Sequence, residues 1–582
     1  MSMKKLPVGV SDFKDIVTGN YSYVDKTLFI KEVLDKGDKI LLIPRPRRFG
    51  KTLNLSMLKY FYDCCPQSLS PPSGTVSSKS ITGADGNSYG KLFHSLAISK
   101  AGNSYLKHMG KYPVIFLTFR DIKEMDWENC MDKIRQLIQD QYLRHDYLLQ
   151  SPILKSQEKD YFKRIIDLKG SMGDYGKSLE KLLIFLNRFY GKRAVILIDE
   201  YDAPVHSGFT NGYFDKIINF MRNFLCGGLK DTDPYLEKGV LTGIMRIARK
   251  SIFPGLNNPG VYTLLSKAFN DKFGFTEKEV KTLLEDFGAM DRYDLVREWY
   301  NGYCFGETVI YNPWSIINFL GEEERTLKPY WINTSDNVIV ESLLSTGGKE
   351  LKQELELLIQ GETIEKAIDD NILLKYIETD ENSLWSFLLM CGYLKYTDKR
   401  MAPITDKIYY TLAIPNREVK TIYTKIIERY FSTKIENRKL EIMLKALLDG
   451  NIDLFEEIFG EFVITAMSFF DTAGEPEKVY HAFVMGLLLW ITPEYIVKSN
   501  REGGYGRYDI MIIPQQKLTG KLGFIIEFKK TRKKETLETA AKSALAQIEE
   551  KKYETEMIER GIKNYKKLAI VFKGKEVIIK EA

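Results

Sequence analysis

The sequence predicts an α/β protein of more than one domain, and three stretches lead to this prediction. An apolar run at 40–43 is followed by Gly-Lys-Thr at 50–52 and then by apolar residues at helical spacing. A second apolar run, within 193–202, ends in two carboxylates. A third stretch, at 523–529, reads as a strand that carries a glutamate and a lysine two positions apart. Short strands separated by helical patterns are typical of α/β folds.

Length and composition indicate a globular protein with several cores. A chain of 582 residues is too long for one core, so about two to four domains are expected. It is 44% hydrophobic and 28% charged, as ordinary soluble proteins are. No stretch approaches about 18 consecutive apolar residues, so no membrane span is expected. The N-terminus has no long apolar segment, so no secretory signal is expected.

Cysteine spacing bears on the cellular compartment, and net charge bears on the kind of partner. The six cysteines, at 64, 65, 130, 226, 304 and 391, are spaced neither as a disulfide framework nor as a zinc site. We expect reduced thiols in the cytoplasm. The formal charge of +6 permits a nucleic-acid partner without arguing for one.

The stretch 40–54 predicts a nucleotide-binding loop. A buried strand, a short loop and a helix that starts near Gly-Lys-Thr would direct backbone N–H groups at phosphate anions. Lys51 would reach the β- and γ-phosphates of ATP, and the hydroxyl of Thr52 would bind Mg²⁺. The predicted nucleotide-binding residues of this loop are Arg48, Phe49, Gly50, Lys51, Thr52 and Leu53.

The loop departs from the pattern G-x-x-x-x-G-K-[ST] at its first position, where this chain has Arg45. Prolines at 44 and 46 and arginines at 47 and 48 make the loop stiffer and more basic than usual. Gly-Lys-Thr alone also occurs at ordinary helix starts, so this stretch by itself leaves that alternative open.

A strand that ends in carboxylates supports the nucleotide site. The apolar residues 194–198 lead into Asp199 and Glu200. A buried parallel strand delivers its C-terminal residues to the crevice where phosphates bind. Asp199 would hold Mg²⁺, directly or through water, and Glu200 would act as general base on the attacking water. A solvated strand end is the alternative for both carboxylates.

A short apolar strand at 239–243 adds a further polar residue, Thr242. In ATPases with an extra strand between the phosphate-loop strand and the Mg²⁺ strand, a residue here senses the γ-phosphate. Arg246 and Arg249 follow, and either would stabilise transition-state charge in cis or in trans. A trans role would need a homo-oligomer, and surface arginines that cap a helix are the alternative.

The middle of the chain, from about 326 to 467, reads as mostly helical with one hairpin. Residues 384–396 lead into a strand pattern at 407–418, which is compatible with a winged helix, although no basic surface for DNA is evident. Upstream, Thr276 and Glu279 predict a helix start with a capping box. Aromatic motifs at 299–303 and 311–315 are compatible with binding platforms or with packing under a helical lid.

The C-terminal residues predict a second site, suited to phosphodiester hydrolysis. Asp509 lies near the start of one predicted strand, and Glu527 and Lys529 share a face of the next because strands repeat every two residues. Asp509 and Glu527 would bind Mg²⁺ or Mn²⁺, and Lys529 would position water or stabilise charge. Glu477, on a preceding predicted helix, would add a metal ligand.

A predicted helix at 541–553 carries Gln547 and completes this constellation. Its order is helix Glu, strand Asp, strand Glu-x-Lys and helix Gln. The basic run 529–534 would grip nucleic-acid phosphates, or it forms a solvated loop.

The chain resembles the AAA-ATPase-like family followed by a PD-(D/E)XK nuclease domain, over nearly its whole length. The motifs that carry the N-terminal resemblance are Leu6-Pro-Val-Gly9, Tyr23-Val-Asp-Lys-Thr27, Arg45-Pro-Arg-Arg-Phe-Gly-Lys-Thr52, Ile198-Asp-Glu-Tyr-Asp202, Thr242-Gly243 with Arg246, and Tyr311-Asn-Pro-Trp-Ser315. Those that carry the C-terminal resemblance are Glu477, Tyr480-His481, Asp509, Glu527-x-Lys529 and Gln547. The basic form of the loop is distinctive of that family, so Arg45 is compatible with a working site.

The resemblance implies three domains. A P-loop NTPase parallel sheet of the AAA-ATPase-like type would occupy 1–325, with a small lid at about 270–325. A helical, winged-helix-like region would occupy 326–467, and an α/β PD-(D/E)XK nuclease-like domain 468–582. The implied cofactors are ATP and Mg²⁺, with Mn²⁺ as a substitute. The implied catalytic residues are Glu200, Asp509, Glu527, Lys529 and Gln547.

Two functions are compatible with these residues. The first is an ATPase that controls a metal-dependent nuclease, an endonuclease or exonuclease with DNA favoured as its partner, in the mobile-element or phage-defence context that the family's company suggests. The second is a nucleotide-dependent switch or assembly protein whose nuclease-like domain binds nucleic acid or protein without cleaving. The modest charge favours the second, and the three residues 509, 527 and 529 favour the first.

Overall fold

The structure is a computed structural model of the chain. It describes residues 4–64, 89–230, 232–246, 259–331, 349–372, 374, 377, 380–402, 407–423, 437–467, 494–503, 506–515, 521–531, 535–573 and 576–582.

The described part of the chain contains sixteen strands. In chain order they are β1 Ile40–Pro44, β2 Val114–Thr118, β3 Ala194–Asp199, β4 Leu236–Gly243, β5 Gly260–Val261, β6 Phe275–Thr276, β7 Tyr303–Phe305, β8 Thr308–Tyr311, β9 Ile364–Ala367, β10 Lys395–Met401, β11 Ile408–Ala413, β12 Tyr495–Gly503, β13 Gly506–Pro514, β14 Gly523–Lys530, β15 Tyr565–Lys573 and β16 Glu576–Glu581.

The helices are mostly amphipathic. In chain order they are α1 Phe13–Thr18, α2 Leu28–Asp35, α3 Lys51–Tyr62, α4 Asn103–Leu106, α5 Trp127–Arg144, α6 Ser156–Ile166, α7 Met172–Gly176, α8 Ser178–Tyr190, α9 Ala203–Thr210, α10 Phe214–Leu229, α11 Glu277–Asp286, α12 Tyr293–Tyr300, α13 Pro313–Gly321, α14 Lys349–Gln360, α15 Glu381–Met390, α16 Asn437–Leu448, α17 Ile452–Met467, α18 Leu537–Lys551 and α19 Thr555–Glu559. Among the residues that the structure describes, no helix is both long enough and apolar enough to cross a membrane.

The chain divides into two compact units. The first consists of Met1–Leu343 and Glu365–Val419, and the second of Leu344–Ile364 and Lys420–Ala582. The phosphate loop belongs to the first unit, and the C-terminal carboxylates belong to the second. The finer division predicted at 325 and 467 stays a prediction.

A five-stranded parallel sheet organises the first unit. Its strand order is β2-β3-β4-β1-β5, and the described pairings are all parallel. Strands β1 and β3 are buried along their whole length, as the apolar runs that predicted them require. Thr118 pairs with Asp199, and Ile43 pairs with Thr242. The carboxyl ends of four strands therefore meet at one edge of the sheet.

A small helical part of the first unit contains α11, α12, α13 and the sheet β6-β8-β7 around an apolar core of its own. Helix α11 begins with the predicted capping box. The N–H of Thr276 donates to the Glu279 carboxylate (2.7 Å), and the N–H of Glu279 donates to the Thr276 hydroxyl (3.4 Å). This prediction is confirmed.

The predicted hairpin in the middle of the chain is present. Strands β10 and β11 pair antiparallel, with β9 on the other side of β11. Helix α15 precedes β10 and starts at an N-cap in which the side chain of Asp380 accepts from the N–H of Ser383 (2.8 Å). The winged-helix interpretation stays a prediction.

A mixed five-stranded sheet, in the order β12-β13-β14-β15-β16, organises the second unit. Only β14 and β15 pair parallel, and the other neighbours pair antiparallel. Even-numbered side chains of β13 and β14, such as Ile510 and Phe528, pack on one face with α16 and α17. Odd-numbered ones, such as Met511 and Ile525, share the other face with α18 and α19. The odd positions 509, 527 and 529 therefore belong to the α18 face.

Candidate active sites

The phosphate loop runs from the end of β1 to the start of α3. Gly50 has a φ of 84° and forms the N-cap of α3, whose first residue is Lys51. Glycine adopts this left-handed conformation without strain. Arg48 also has a positive φ, of 66°. The loop that contains these two residues places the N-terminus of α3 at the wall of a cleft.

Arg45 fills the position where the phosphate-loop pattern has glycine. Its side chain is buried, and its guanidinium donates to the carbonyl oxygens of Tyr262 (2.7 Å) and Phe269 (3.2 Å). The guanidinium also lies 5.2 and 5.3 Å from the ring centres of Phe273 and Phe305. Burial lowers the pKa of Arg45 to about 9. Arg45 therefore holds the loop against neighbouring segments.

Lys51 lies inside the loop. Its side chain is buried, and its ammonium donates to the carbonyl oxygens of Arg45 (3.0 Å) and Pro46 (2.9 Å). Burial lowers the pKa of Lys51, while the charges of Glu200 and Asp199 act in the opposite direction. The ammonium is thus held by the backbone of the segment that would enclose phosphates.

Thr52, Asp199 and Thr242 form a cluster at the carboxyl edge of the parallel sheet. The hydroxyl of Thr52 donates to Asp199 Oδ2 (2.7 Å), and the hydroxyl of Thr242 donates to Asp199 Oδ1 (2.8 Å). Asp199 and Thr242 are fully buried. The structure thereby joins the residues predicted for Mg²⁺ binding and for sensing the γ-phosphate.

Arg120 joins this cluster, and the sequence reasoning missed it. Its guanidinium donates to Thr52 Oγ1 and lies 3.7 Å from Asp199 Oδ2. The available signal was its place just after the apolar strand β2, because parallel strands end at the same edge. That signal needed the neighbourhood of β2 and β3, which a single sequence does not supply.

Two further carboxylates of the 198–202 motif take different positions. Glu200 has a φ of 49° and lines the cleft. Asp202 is buried and accepts from the N–H groups of Ile244 (2.7 Å) and Met245 (3.1 Å) and lies 3.3 Å from His206 Nε2. Burial acts to raise the pKa of Asp202, but His206 and the two N–H groups hold it below its usual value. Asp202 therefore anchors the segment after β4.

The cleft beside α3 has a volume of about 700 Å³, within the range of small-ligand pockets. The six loop residues predicted for nucleotide binding, 48–53, all line it. Its basic lining residues are Lys26, Arg47, Arg48, Lys51, Arg120, Lys123, Lys133 and Lys272, and its carboxylates are Asp121 and Glu200. The excess of positive charge suits a polyphosphate.

The aromatic motif at 311–315 both packs and lines the cleft. The guanidinium of Arg48 lies 4.1 Å from the ring centre of Trp314, which is also a lining residue. Tyr311 is buried in the core of the small helical part. Tyr303, from the aromatic motif at 299–303, also contacts the loop: its ring centre lies 4.9 Å from that of Phe49. The motif thus supports the phosphate loop from the side of α13.

The two arginines predicted after β4 have different outcomes. Arg246 forms an ion pair with Asp370 at 3.5 Å and is absent from the lining of the cleft. Its predicted role at the γ-phosphate stays a prediction. Arg249 lies outside the described residues.

A buried carboxylate, Glu418, connects the helical part with the phosphate loop. Glu418 accepts from the hydroxyl of Ser315 (2.8 Å) and from the N–H of Trp331 (2.7 Å). The indole N–H of Trp331 donates in turn to the carbonyl oxygen of Arg47 (3.1 Å). Burial raises the pKa of Glu418 to about 7, against these hydrogen bonds. No sequence pattern pointed to this residue.

The second site lies on the α18 face of the C-terminal sheet. The described pairs of β13 and β14 end at Ile510 and Ile526, so Asp509 and Glu527 are the next opposed positions. Opposed residues of an antiparallel pair project to the same face. Asp509 also accepts from the N–H of Phe528 (2.8 Å), and Glu527 is buried. The two predicted carboxylates are therefore brought together.

Helix α18 supplies partners for the two residues of the Glu-x-Lys pair. Gln547 donates from its amide to Glu527 Oε1, and the ammonium of Lys529 donates to the Ser543 hydroxyl (2.7 Å). The four-residue helical step from 543 to 547 spans about 6 Å, which matches the two-residue strand step of about 6.7 Å. Ser543 was not predicted.

Small side chains explain why α18 comes close enough for these contacts. Ala540, Ala541 and Ala544 pack against Ala569 and Val571 of β15. These two residues pair in parallel register with Glu527 and Lys529. The alanine face of α18 therefore lets the helix approach the sheet closely enough for Ser543 and Gln547 to reach Lys529 and Glu527.

Tyr553 lies behind Gln547 and was also missed. The Gln547 amide donates to the Tyr553 hydroxyl (3.4 Å), and the ring is buried. Burial raises the pKa of Tyr553, and the charges of Glu527 and Asp509 raise it further against the hydrogen bond with Gln547. The carboxylates, the amide and the phenol thus share one small region.

Other predicted members of the second site cannot be placed. Glu477 lies outside the described residues, as do positions 532–534 of the basic run and His481, which belongs to the motif of the resemblance. Within the described part of the chain, no group of three or more His, Cys, Asp or Glu side chains is arranged to hold a metal ion.

Comparisons with known proteins agree with the two sites. Residues 7–69 and 82–253 match the model of a family described as predicted AAA-ATPase, and residues 475–582 match the PD-(D/E)XK nuclease superfamily. A relative from Azotobacter chroococcum mcd 1, named "Uncharacterized protein in vnfD 5'region", is 26% identical over 422 residues. The match covers 72% of this chain and 69% of that protein.

Proposed function

We propose that this chain, which joins an AAA-ATPase-like domain to a PD-(D/E)XK nuclease superfamily domain, is an ATP-controlled nuclease that cleaves DNA with Mg²⁺. One observation carries the proposal: Asp509 and Glu527 occupy opposed positions on β13 and β14, with Lys529 on the same face and Gln547 bound to Glu527. Metal-dependent phosphodiester hydrolysis needs this combination of hard oxygen ligands and a nearby ammonium.

At the second site, the residues fit a divalent cation. A bound cation supplies Lewis acidity and neutralises phosphate charge. Asp509 and Glu527 would hold it, and the amide of Gln547 keeps the Glu527 carboxylate in one orientation. Lys529, held by Ser543 at 2.7 Å, would stabilise negative charge on the attacked phosphate. Mn²⁺ would substitute for Mg²⁺ with the same ligands.

At the first site, the cleft fits a nucleoside triphosphate. The N-terminus of α3 and the basic lining would hold the phosphates, with Lys51 at the β- and γ-phosphates. Thr52 and Asp199 would bind Mg²⁺, and Glu200 would accept the proton of the attacking water. Thr242, bonded to Asp199 at 2.8 Å, would report the γ-phosphate to β4.

Control of one site by the other is supported by their presence in one chain. We propose that nucleotide binding or turnover changes the activity of the C-terminal domain, in a mobile-element or phage-defence setting. No disulfide joins the described cysteines, which suits the cytoplasm. A role for Arg246 or Arg249 in trans, and hence a homo-oligomer, belongs to the same proposal.

Cleavage of plasmid and oligonucleotide DNA by the full-length protein tests the proposal. Assays contain Mg²⁺, Mn²⁺ or EDTA, each with and without ATP. Glu527→Ala and Lys529→Ala should each lower cleavage by at least about 100-fold, since even outer-shell partners of a metal cost 10–100-fold. Glu550→Ala and Lys542→Ala, at exposed positions of α18, are matched controls and should cleave normally. Cleavage that persists in both site variants would refute the proposal.

A second candidate is a nucleotide-dependent switch whose nuclease-like domain binds without cleaving. The observation that favours it is that the described residues bring only two carboxylates together at the second site. On this alternative the wild type cuts neither DNA nor RNA and binds no metal at 509 and 527, while Lys51→Ala still abolishes function in cells. DNA binding that resists EDTA would point the same way.

A further inference from the structure

Arg120 contacts the two residues that would bind the divalent cation of the nucleotide site. Its guanidinium donates to Thr52 Oγ1 and lies 3.7 Å from Asp199 Oδ2. Thr52 in turn donates its hydroxyl proton to the same Asp199 oxygen at 2.7 Å. One guanidinium therefore faces the hydroxyl oxygen and the carboxylate oxygen at once.

A cation bound to Thr52 would share the hydroxyl oxygen that now accepts from Arg120. The Thr52 hydroxyl has a single proton, which is engaged with Asp199, so it meets Arg120 as an acceptor. A metal ion also requires the oxygen as an electron-pair donor. In addition, a guanidinium and a divalent cation about 4 Å apart repel each other strongly. The two cations cannot hold these oxygens at full strength together.

Burial decides which partner can move. Asp199 is fully buried and is held on its other oxygen by Thr242 at 2.8 Å. The side chain of Arg120 is 40% exposed, and Arg120 lines the cleft. It follows β2, where its N–H lies 3.4 Å from Thr118 Oγ1. The guanidinium can therefore turn into the cleft while the carboxylate stays in place.

We propose that Arg120 is a positioning residue that competes with the divalent cation for Thr52 and Asp199. Without the cation, Arg120 holds the two oxygens in position. When the cation binds, the guanidinium is released into the cleft, on the side where the phosphates would lie. This inference rests on the proposed nucleotide site and adds a regulation of it: the affinity for the cation is set by an internal competitor.

Magnesium titration of nucleotide-loaded protein tests the inference. In a buffer that contains EDTA, the full-length protein is saturated with ADP that carries a fluorescent N-methylanthraniloyl group. The concentration of free Mg²⁺ is then raised, and the fluorescence of the bound nucleotide is followed. Arg120→Gln removes the competing charge but keeps a polar side chain. We expect its half-saturating Mg²⁺ concentration to fall at least about fivefold, the lower end of typical coupling between sites.

Two controls separate competition from a general effect of charge or folding. Arg120→Lys keeps a cation and should stay closer to the wild type than to Arg120→Gln. Lys192→Gln removes an exposed charge of the first unit at a position that is not among the lining residues of the cleft. Its midpoint should remain within about twofold of the wild type. Thermal unfolding of each variant shows that it is folded.

The outcomes distinguish this inference from the proposed function. A wild type that binds the fluorescent ADP in neither buffer overturns the nucleotide site and the inference with it. Binding by Arg120→Gln with an unchanged or higher Mg²⁺ midpoint overturns the inference alone. An equal fall in Lys192→Gln also overturns it, because the effect would then be one of net charge.

Discussion

Replacement of the buried Glu418 by glutamine should change how the stability of the first unit depends on pH. Glu418 is fully buried and accepts from Ser315 and from the N–H of Trp331. Burial raises its pKa from the usual 4.5 to about 7 in the folded protein. Between these two values the folded state binds more protons than the unfolded state. Stability from this group is therefore full below about pH 4.5 and is lost as the pH rises through about 7.

The size of the effect follows from the shift. A difference of about 2.5 pKa units corresponds to roughly 3 kcal/mol, at about 1.4 kcal/mol per unit. Between pH 5 and pH 8 about 2 to 3 kcal/mol of this should be lost. In Glu418→Gln an amide of the same shape replaces the carboxylate and keeps one oxygen acceptor. The amide cannot ionise, so this loss of stability should disappear. His145, whose pKa burial lowers to about 3, acts in the opposite direction but is common to both proteins.

Urea unfolding at pH 5, 6, 7 and 8, followed by tryptophan fluorescence, measures the difference between wild type and variant. The free energy of unfolding of the wild type, relative to Glu418→Gln, should fall by about 2 to 3 kcal/mol across this range and level off above pH 7. A difference that is constant with pH, or that grows with pH, would show that Glu418 ionises in the folded protein at or below its ordinary pKa.

Three further changes have expected outcomes. Lys51→Ala should weaken ATP binding by at least about 30-fold, because a buried ammonium is lost from the phosphate loop, and calorimetry measures this. Gln547→Ala should raise the Mg²⁺ concentration for half-maximal DNA cleavage by about 10–100-fold, since Glu527 loses its orienting partner; an unchanged metal requirement would exclude that role. Gly243→Ala should destabilise by about 1–3 kcal/mol in urea, because its methyl group would lie 2.6 Å from Asp202 Oδ1, whereas Gly37→Ala meets no atom within 4 Å and should be nearly neutral.

The fold could be predicted where local pattern and burial agree. The apolar runs that became β1 and β3 are buried on both faces, so their sequence shows continuous hydrophobicity, and the predicted α/β class is confirmed. The capping box of Thr276 and Glu279 depends on residues three positions apart, and it too is confirmed. Such features need no knowledge of distant parts of the chain.

The parts that could not be predicted depend on long-range neighbours. Arg120 reaches Thr52 and Asp199 only because β2 lies beside β3, and the strand order is not written in any local pattern. Ser543 reaches Lys529 because alanines let α18 approach the sheet. Glu418 meets Ser315 across a sequence separation of 103 residues. The predicted roles of the site residues themselves stay predictions until the experiments above are done.

Arg45 makes the phosphate loop stiffer than a glycine at the same position would. Because its guanidinium spans carbonyl groups that lie more than 200 positions further along the chain, the loop is braced from outside and not by its own turn. Such a brace lowers the number of shapes that the empty loop can sample, and so reduces the ordering penalty when an anion arrives. A search for phosphate-binding chains that insists on glycine at this position would pass over every protein built in this way.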